Sequence, residues 1–127
     1  FEHRSYGDEL ARCQRYFEKT YNDGVALGTS TGAGQASYVC NNYSSGTVLY
    51  GSSTFYRVPK RAVPSLSFWS YNGVANEWFQ GVAGFSEALH AAPLLTGSGE
   101  TGFQPYMTTV ASNANTMYGH WAADAEL

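Results

Sequence analysis

Beyond Arg61 the chain contains no lysine and no arginine. All seven of its cations lie at or before that residue, so residues 1–61 sum to +2 and residues 62–127 to −5. A half-chain without a cation cannot form a groove that tracks phosphates, and nucleic-acid binding is therefore not expected. Charge of either sign is sparse, at 13% of residues, far from the composition of a disordered chain. Long apolar runs are missing too. Nothing is long enough to span a bilayer, so no membrane insertion is expected. The sequence begins at Phe1 without an initiator Met or an apolar signal segment, and it is expected to be a piece of something longer. Cysteine is limited to Cys13 and Cys40, too few for a disulfide framework, and both are expected to be reduced and buried.

The inventory of reactive groups is equally thin. His3, His90 and His120 are too scattered for a metal-ligand spacing, and no Asp-rich loop resembles a calcium site, so neither a metal nor a cofactor is expected. The glycines do not form a phosphate-binding loop, and no serine sits in a nucleophile elbow. Glu77, Glu87, Glu100 and Asp124 could serve a glycan hydrolase, but nothing in their spacing selects a pair. The expectation is a protein that is not an enzyme.

What the chain does have is aromatic residues, 16% of the total, and about a third Gly, Ser, Thr and Asn. This composition suits short strands separated by turns. With 127 residues it is most naturally one domain, spanning 1–127. The fold class expected is mainly β, a jelly-roll-like β-sandwich with one short N-terminal α-helix. Ser5, three residues before Asp8, has the spacing of a helix cap, and Leu10, Cys13 and Phe17 then recur at helical intervals. The helix is expected to run to about Lys19, with this stripe and its Cys13 packed on the sheet. Glycines 28, 32 and 34 predict a mobile loop over 25–34. Residues 35–51 predict a hairpin whose strands are 35–40 and 47–50, and 93–102 predicts a loop. Further strands are expected over 83–89, 107–112 and 117–125.

The chain is organised around VPKRAVPSLSFW, residues 58–69. Two prolines flank a basic pair and lead into a strand over 65–71, in which Leu66 and Phe68 face one way and Trp69 and Tyr71 the other. Asn72-Gly73 then signals a hairpin, with Glu77, Trp78 and Phe79 on the returning strand. Trp69, Tyr71, Trp78 and Trp121 could stack on a sugar ring, and Asn72, Asn76 and Gln80 could hydrogen-bond its hydroxyls. Tryptophans also fill cores and subunit interfaces, and that alternative stays open for each of them. Arg57, Lys60 and Arg61 are open between binding acidic sugars and pairing with acids, locally or across subunits.

Three segments in order, YGDELARCQRYF over 6–17, VPKRAVPSLSFWSYNG over 58–73 and WAADAEL over 121–127, resemble the C-terminal receptor-binding domain of tail fibres and related virion proteins of tailed bacteriophages. The resemblance covers the chain from Tyr6 to Leu127, although the stretches between the motifs do not share it. Lys60-Arg61 stands where that pattern often has Met-Arg. The resemblance implies a compact β-sandwich at the tip of a usually trimeric fibre, joined to the rest of the fibre, assembled in the host cytoplasm and exposed on the virion. It implies contact with a host cell-surface polysaccharide or other glycan and no catalytic residues. Trp69, Tyr71, Asn72, Asn76 and Trp78 are the residues expected to hold the sugar. The alternative role is structural, a trimerisation or capping domain that terminates the fibre.

Overall fold

The computed structural model describes residues 4–43, 46, 48–82, 88–91, 93–109 and 114–126. They form two antiparallel sheets and one short helix, a mainly β, sandwich-like fold. The centre of the larger sheet is the longest strand, β10 (Ala114–Asp124). Its C-terminal half pairs with β1 (Phe17–Lys19) and with β5 (Ser65–Trp69), and its N-terminal half with β2 (Ala36–Tyr43) and with β6 (Glu77–Val82). Outside β6 lies β7 (Ala88–Ala91). The smaller sheet is built on β9 (Gly102–Thr108), which pairs with β3 (Val48–Tyr50), β4 (Thr54–Phe55) and β8 (Leu94–Thr96).

The core between the sheets is aromatic. Tyr38, Tyr56, Phe68, Trp78, Phe103, Met107, Met117, Trp121 and Ala123 form one buried cluster. Phe68 stands edge-on to Trp78 at 5.4 Å and Phe103 edge-on to Trp121 at 5.3 Å, the T-shaped geometry that aromatic quadrupoles favour. Alternation along β5 behaves as the sequence suggests, with Leu66 and Phe68 turned to this core and Trp69 away from it.

Several expectations are corrected. Helix α1 (Tyr6–Gln14) starts as expected, with the Ser5 hydroxyl accepting the Asp8 N–H, but it stops at Gln14. The reason is tertiary: residues 17–19 gain ladder bonds to β10, which outweigh the helical spacing of Phe17. No residue of α1 is buried, and Cys13 is a free, exposed thiol; the side chain of Cys40 lies outside the described residues. The stripe does not seat on the sheet because the helix is held by backbone groups just beyond it. The Arg15 carbonyl accepts the Arg61 N–H at 3.1 Å, and the Tyr16 carbonyl accepts the Ala125 N–H at 2.7 Å.

Residues 35–51 do not form a hairpin, because β2 joins the larger sheet and β3 the smaller. The expected loop over 93–102 contains β8, whose register against β9 (Leu94↔Tyr106) supplies its backbone partners. Part of the strand expected over 83–89 lies outside the described residues, as does the end of the one expected over 107–112. The hairpin after β5 is short. Gly73 has φ +83° and donates to the Ser70 carbonyl, and a single bridge joins Trp69 to Ala75. The strand expected over 65–71 ends at Trp69, and Glu77, Trp78 and Phe79 do not return alongside it. Instead β6 pairs with β10 and β7 and runs the same way as β5, so residues 71–76 project between them, with Asn72 and residues 74–76 exposed.

Lys60 takes the local pairing among the readings of the basic segment and is open neither to a sugar nor to a neighbouring subunit. It is 3% exposed, and its ammonium donates to Glu18 Oε2 at 2.7 Å, to the Gln14 carbonyl and to the Val58 carbonyl. All three of its protons are thus used inside one chain. Glu18 also accepts the Arg57 N–H, and the ammonium lies 4.8 Å from the centre of the Tyr56 ring. Burial pushes the Tyr56 phenol up to about 12, with the Glu18 charge adding to the effect. The twin prolines therefore deliver a cation that ties the end of α1 and β1 to the core. Arg61 packs over the Tyr16 ring of the same chain at 5.3 Å.

Candidate functional site

The face of the larger sheet turned away from the core falls into two halves. Over the C-terminal half of β10 sits His120, fully buried beneath residues 20–31. A carbonyl can only accept, so Nε2 carries the proton that His120 donates to the Thr31 carbonyl at 2.8 Å. Nδ1 then accepts from the Thr20 hydroxyl at 3.0 Å, and that hydroxyl accepts the Trp121 N–H. Tyr21 stacks on the imidazole at 3.8 Å and meets Trp69 edge-on at 6.1 Å.

The glycine-rich stretch over 25–34 is tethered, contrary to its reading as a mobile loop. Besides the Thr31 bond, Lys19 Nζ donates to the Val25 carbonyl. A Cβ on Gly73 would run into the Gly28 carbonyl, while Gly28 itself lies in contact with the Trp69 indole. These glycines permit a close approach of two turns, which their positive φ angles of +79° and +83° also require.

Burial lowers the His120 pKa below its ordinary value of 6.5, with the bond to Thr31 opposing the shift. The unfolded chain therefore binds a proton that the folded chain refuses. The stability this contributes is complete above pH 6.5 and is lost as pH falls toward the depressed folded value. Urea midpoints measured at about pH 7.5 and about pH 5 should fall on acidification, and the fall should shrink in His120→Gln.

The other half of this face carries an aromatic platform. Tyr71, reaching back from the protruding turn, lies 4.7 Å from Phe79 of β6 and 6.2 Å from Tyr118 of β10, nearly parallel to the latter at 16°. Phe79 and Tyr118 face each other across the strand register, 6.1 Å apart. Phe79 is buried beneath its neighbours, while Tyr71 and Tyr118 are half-buried, each keeping part of its surface accessible. Asn72 is exposed next to Tyr71, and Asn76 is exposed with a left-handed φ of 60° at the base of the turn.

The residues singled out in the sequence thus divide. Tyr71 and Asn72 sit together at the platform. Trp69 is half-buried against Tyr21 and beneath Gly28. Trp78 must be withdrawn, because it is 0% exposed and its Nε1 donates to the His120 carbonyl at 2.9 Å, leaving no ring face for a ligand. Gln80 is withdrawn with it, being fully buried and donating to the Thr108 carbonyl across the sandwich. Trp121 belongs to the core. Tyr118 was missed, and no spacing in the sequence reveals it, since it reaches the site only through the pairing of β10 with β6.

Concavities also flank α1. One of about 280 Å³ lies between the helix and β1, lined by Leu10, Cys13 and Phe17 among others, and one of about 390 Å³ is bordered by Arg4, Arg12 and Arg15. Neither shares a lining residue with the platform. Family models, curated proteins and solved structures were all compared with this chain, and none matches it.

Proposed function

We propose that this chain is the host-attachment domain at the tip of a tailed-bacteriophage tail fibre, exposed on the virion, and that it binds a cell-surface glycan without catalysis. The observation that carries the glycan-binding reading is the half-buried, near-parallel pair Tyr71 and Tyr118, with the exposed amide of Asn72 beside it. Planar rings take up the apolar face of a sugar, and a side-chain amide both donates to and accepts from its hydroxyls. The expected result is that Tyr71→Ala with Tyr118→Ala lowers whole-cell binding by roughly tenfold or more, the loss of two stacking surfaces. Binding that survives the double substitution would remove this site.

A homotrimer is part of the proposal, and a separate observation favours it. The apolar side chains of α1 and its end, Leu10 at 42%, Tyr16 at 40% and Phe17 at 39%, stay open in the single chain, and Tyr6 is exposed at 81%. A neighbouring protomer would cover them and repeat each weak sugar site three times. If the domain is instead purely structural, its mass in solution will be that of a trimer while host cells fail to bind it.

A further inference from the structure

We infer that the platform takes an uncharged sugar ring, and that Tyr118 and Tyr71 together form the surface on which the ring lies. This rests on the glycan-binding reading above and names the class of glycan. Side-chain alternation defines the face. Met117 is fully buried, so Thr116 and Tyr118 turn outward; Trp78 and Gln80 are buried, so Glu77, Phe79 and Gly81 turn outward. Across β10 the same rule turns Ser37 and Val39 outward on either side of buried Tyr38, and Val39 is 86% exposed. Among the described residues this half of the sheet is therefore a shelf of small, polar and apolar groups, exposed at Ser37 and Val39, with a half-buried tyrosine pair at one end.

Its charge is decided by the sequence. No lysine or arginine occurs between Thr20 and Tyr56 or after Arg61, so β2, β6, β7 and β10 carry none. Lys60 is sealed in the core, Arg61 packs against the Tyr16 ring beyond the end of α1 and Lys19 is held by the Val25 carbonyl. Among the described residues the acidic side chain on the shelf is Glu77. Among the described residues a uronate, sialate or phosphate would meet no opposite charge on the shelf and one acidic neighbour, an arrangement that selects against it. A neutral hexose or N-acetylhexosamine offers C–H groups to the rings and hydroxyls to Asn72, Ser37 and Thr116.

The test is titration of the whole chain against two panels of oligosaccharides, one of neutral hexoses and N-acetylhexosamines, the other bearing uronate, sialate or phosphate. Binding should be confined to the neutral panel and should change by less than about twofold when salt is raised, since no ion pair is screened. Tyr118→Ala should weaken it roughly tenfold, with the variant's urea midpoint measured alongside to show that it folds. Salt-sensitive binding to the acidic panel would overturn the inference and leave glycan attachment standing. Silence on both panels, together with no attachment to host cells, would overturn both. A fall in oligomer mass on Tyr118→Ala, with sugar binding unchanged, would assign the shelf to a second copy of the chain and overturn the inference alone.

Discussion

Replacing Lys60 by methionine should cost about 3–5 kcal/mol of folding stability, the usual penalty for stranding the partner of a buried ion pair. Methionine fits the space of the aliphatic stem but leaves Glu18, itself 9% exposed, with only the Arg57 N–H to answer its charge. The Gln14 and Val58 carbonyls lose their donor in the same step. Combining Lys60→Met with Glu18→Gln should recover much of the loss, because no uncompensated charge then remains buried. Urea midpoints of the two single variants and the double variant measure this directly. A Lys60→Met protein within about 1 kcal/mol of the parent would show that the pair is hydrated and exchangeable. Added salt should leave the parent's midpoint almost unchanged, since a sealed pair is poorly screened.

That lysine also shows where the sequence is mute. Lys60 and Arg61 are adjacent and of one charge, yet the first is sealed in the core and the second lies on an aromatic ring at the surface. Nothing local separates them, because the partner that buries Lys60 is Glu18, 42 residues away. Where the information is local, the reading succeeds. The Ser5 cap, the inward Leu66 and Phe68 and the positive φ of Gly73 each follow from neighbours within a few residues. Trp78 fails for a different reason. In EWFQGV two large aromatics are adjacent, so period-two alternation cannot say which one faces in; the long-range partner of each decides it. Tyr118 and β1 were hidden in the same way, since both are defined by register against β10 or by β10's own pairing. The sandwich class was legible in composition and turns, whereas the binding shelf arises from strand pairing that no single stretch encodes.

Gly119→Ala should be the most damaging single methyl in the larger sheet. A Cβ at this position would stand 2.6 Å from Nε1 and 2.7 Å from Cγ of Trp78, well inside van der Waals contact. The indole cannot step aside, for it is fully buried, stacked on Tyr38 at 5.7 Å and edged by Phe68 at 5.4 Å. Its hydrogen bond to the His120 carbonyl fixes the ring in its plane. Overpacking together with the strained or broken bond should cost about 2–4 kcal/mol, which lowers the melting temperature by roughly 10 °C in a domain of this size. Trp78→Leu removes the obstructing five-membered ring at its own price in lost packing, of about 3 kcal/mol. In the double variant the added methyl meets open space, so the combined loss should fall short of the sum of the two single losses by more than about 1 kcal/mol. Strict additivity would mean that the backbone of β10 yields at Gly119 instead, and that the indole does not set the spacing of the central strands.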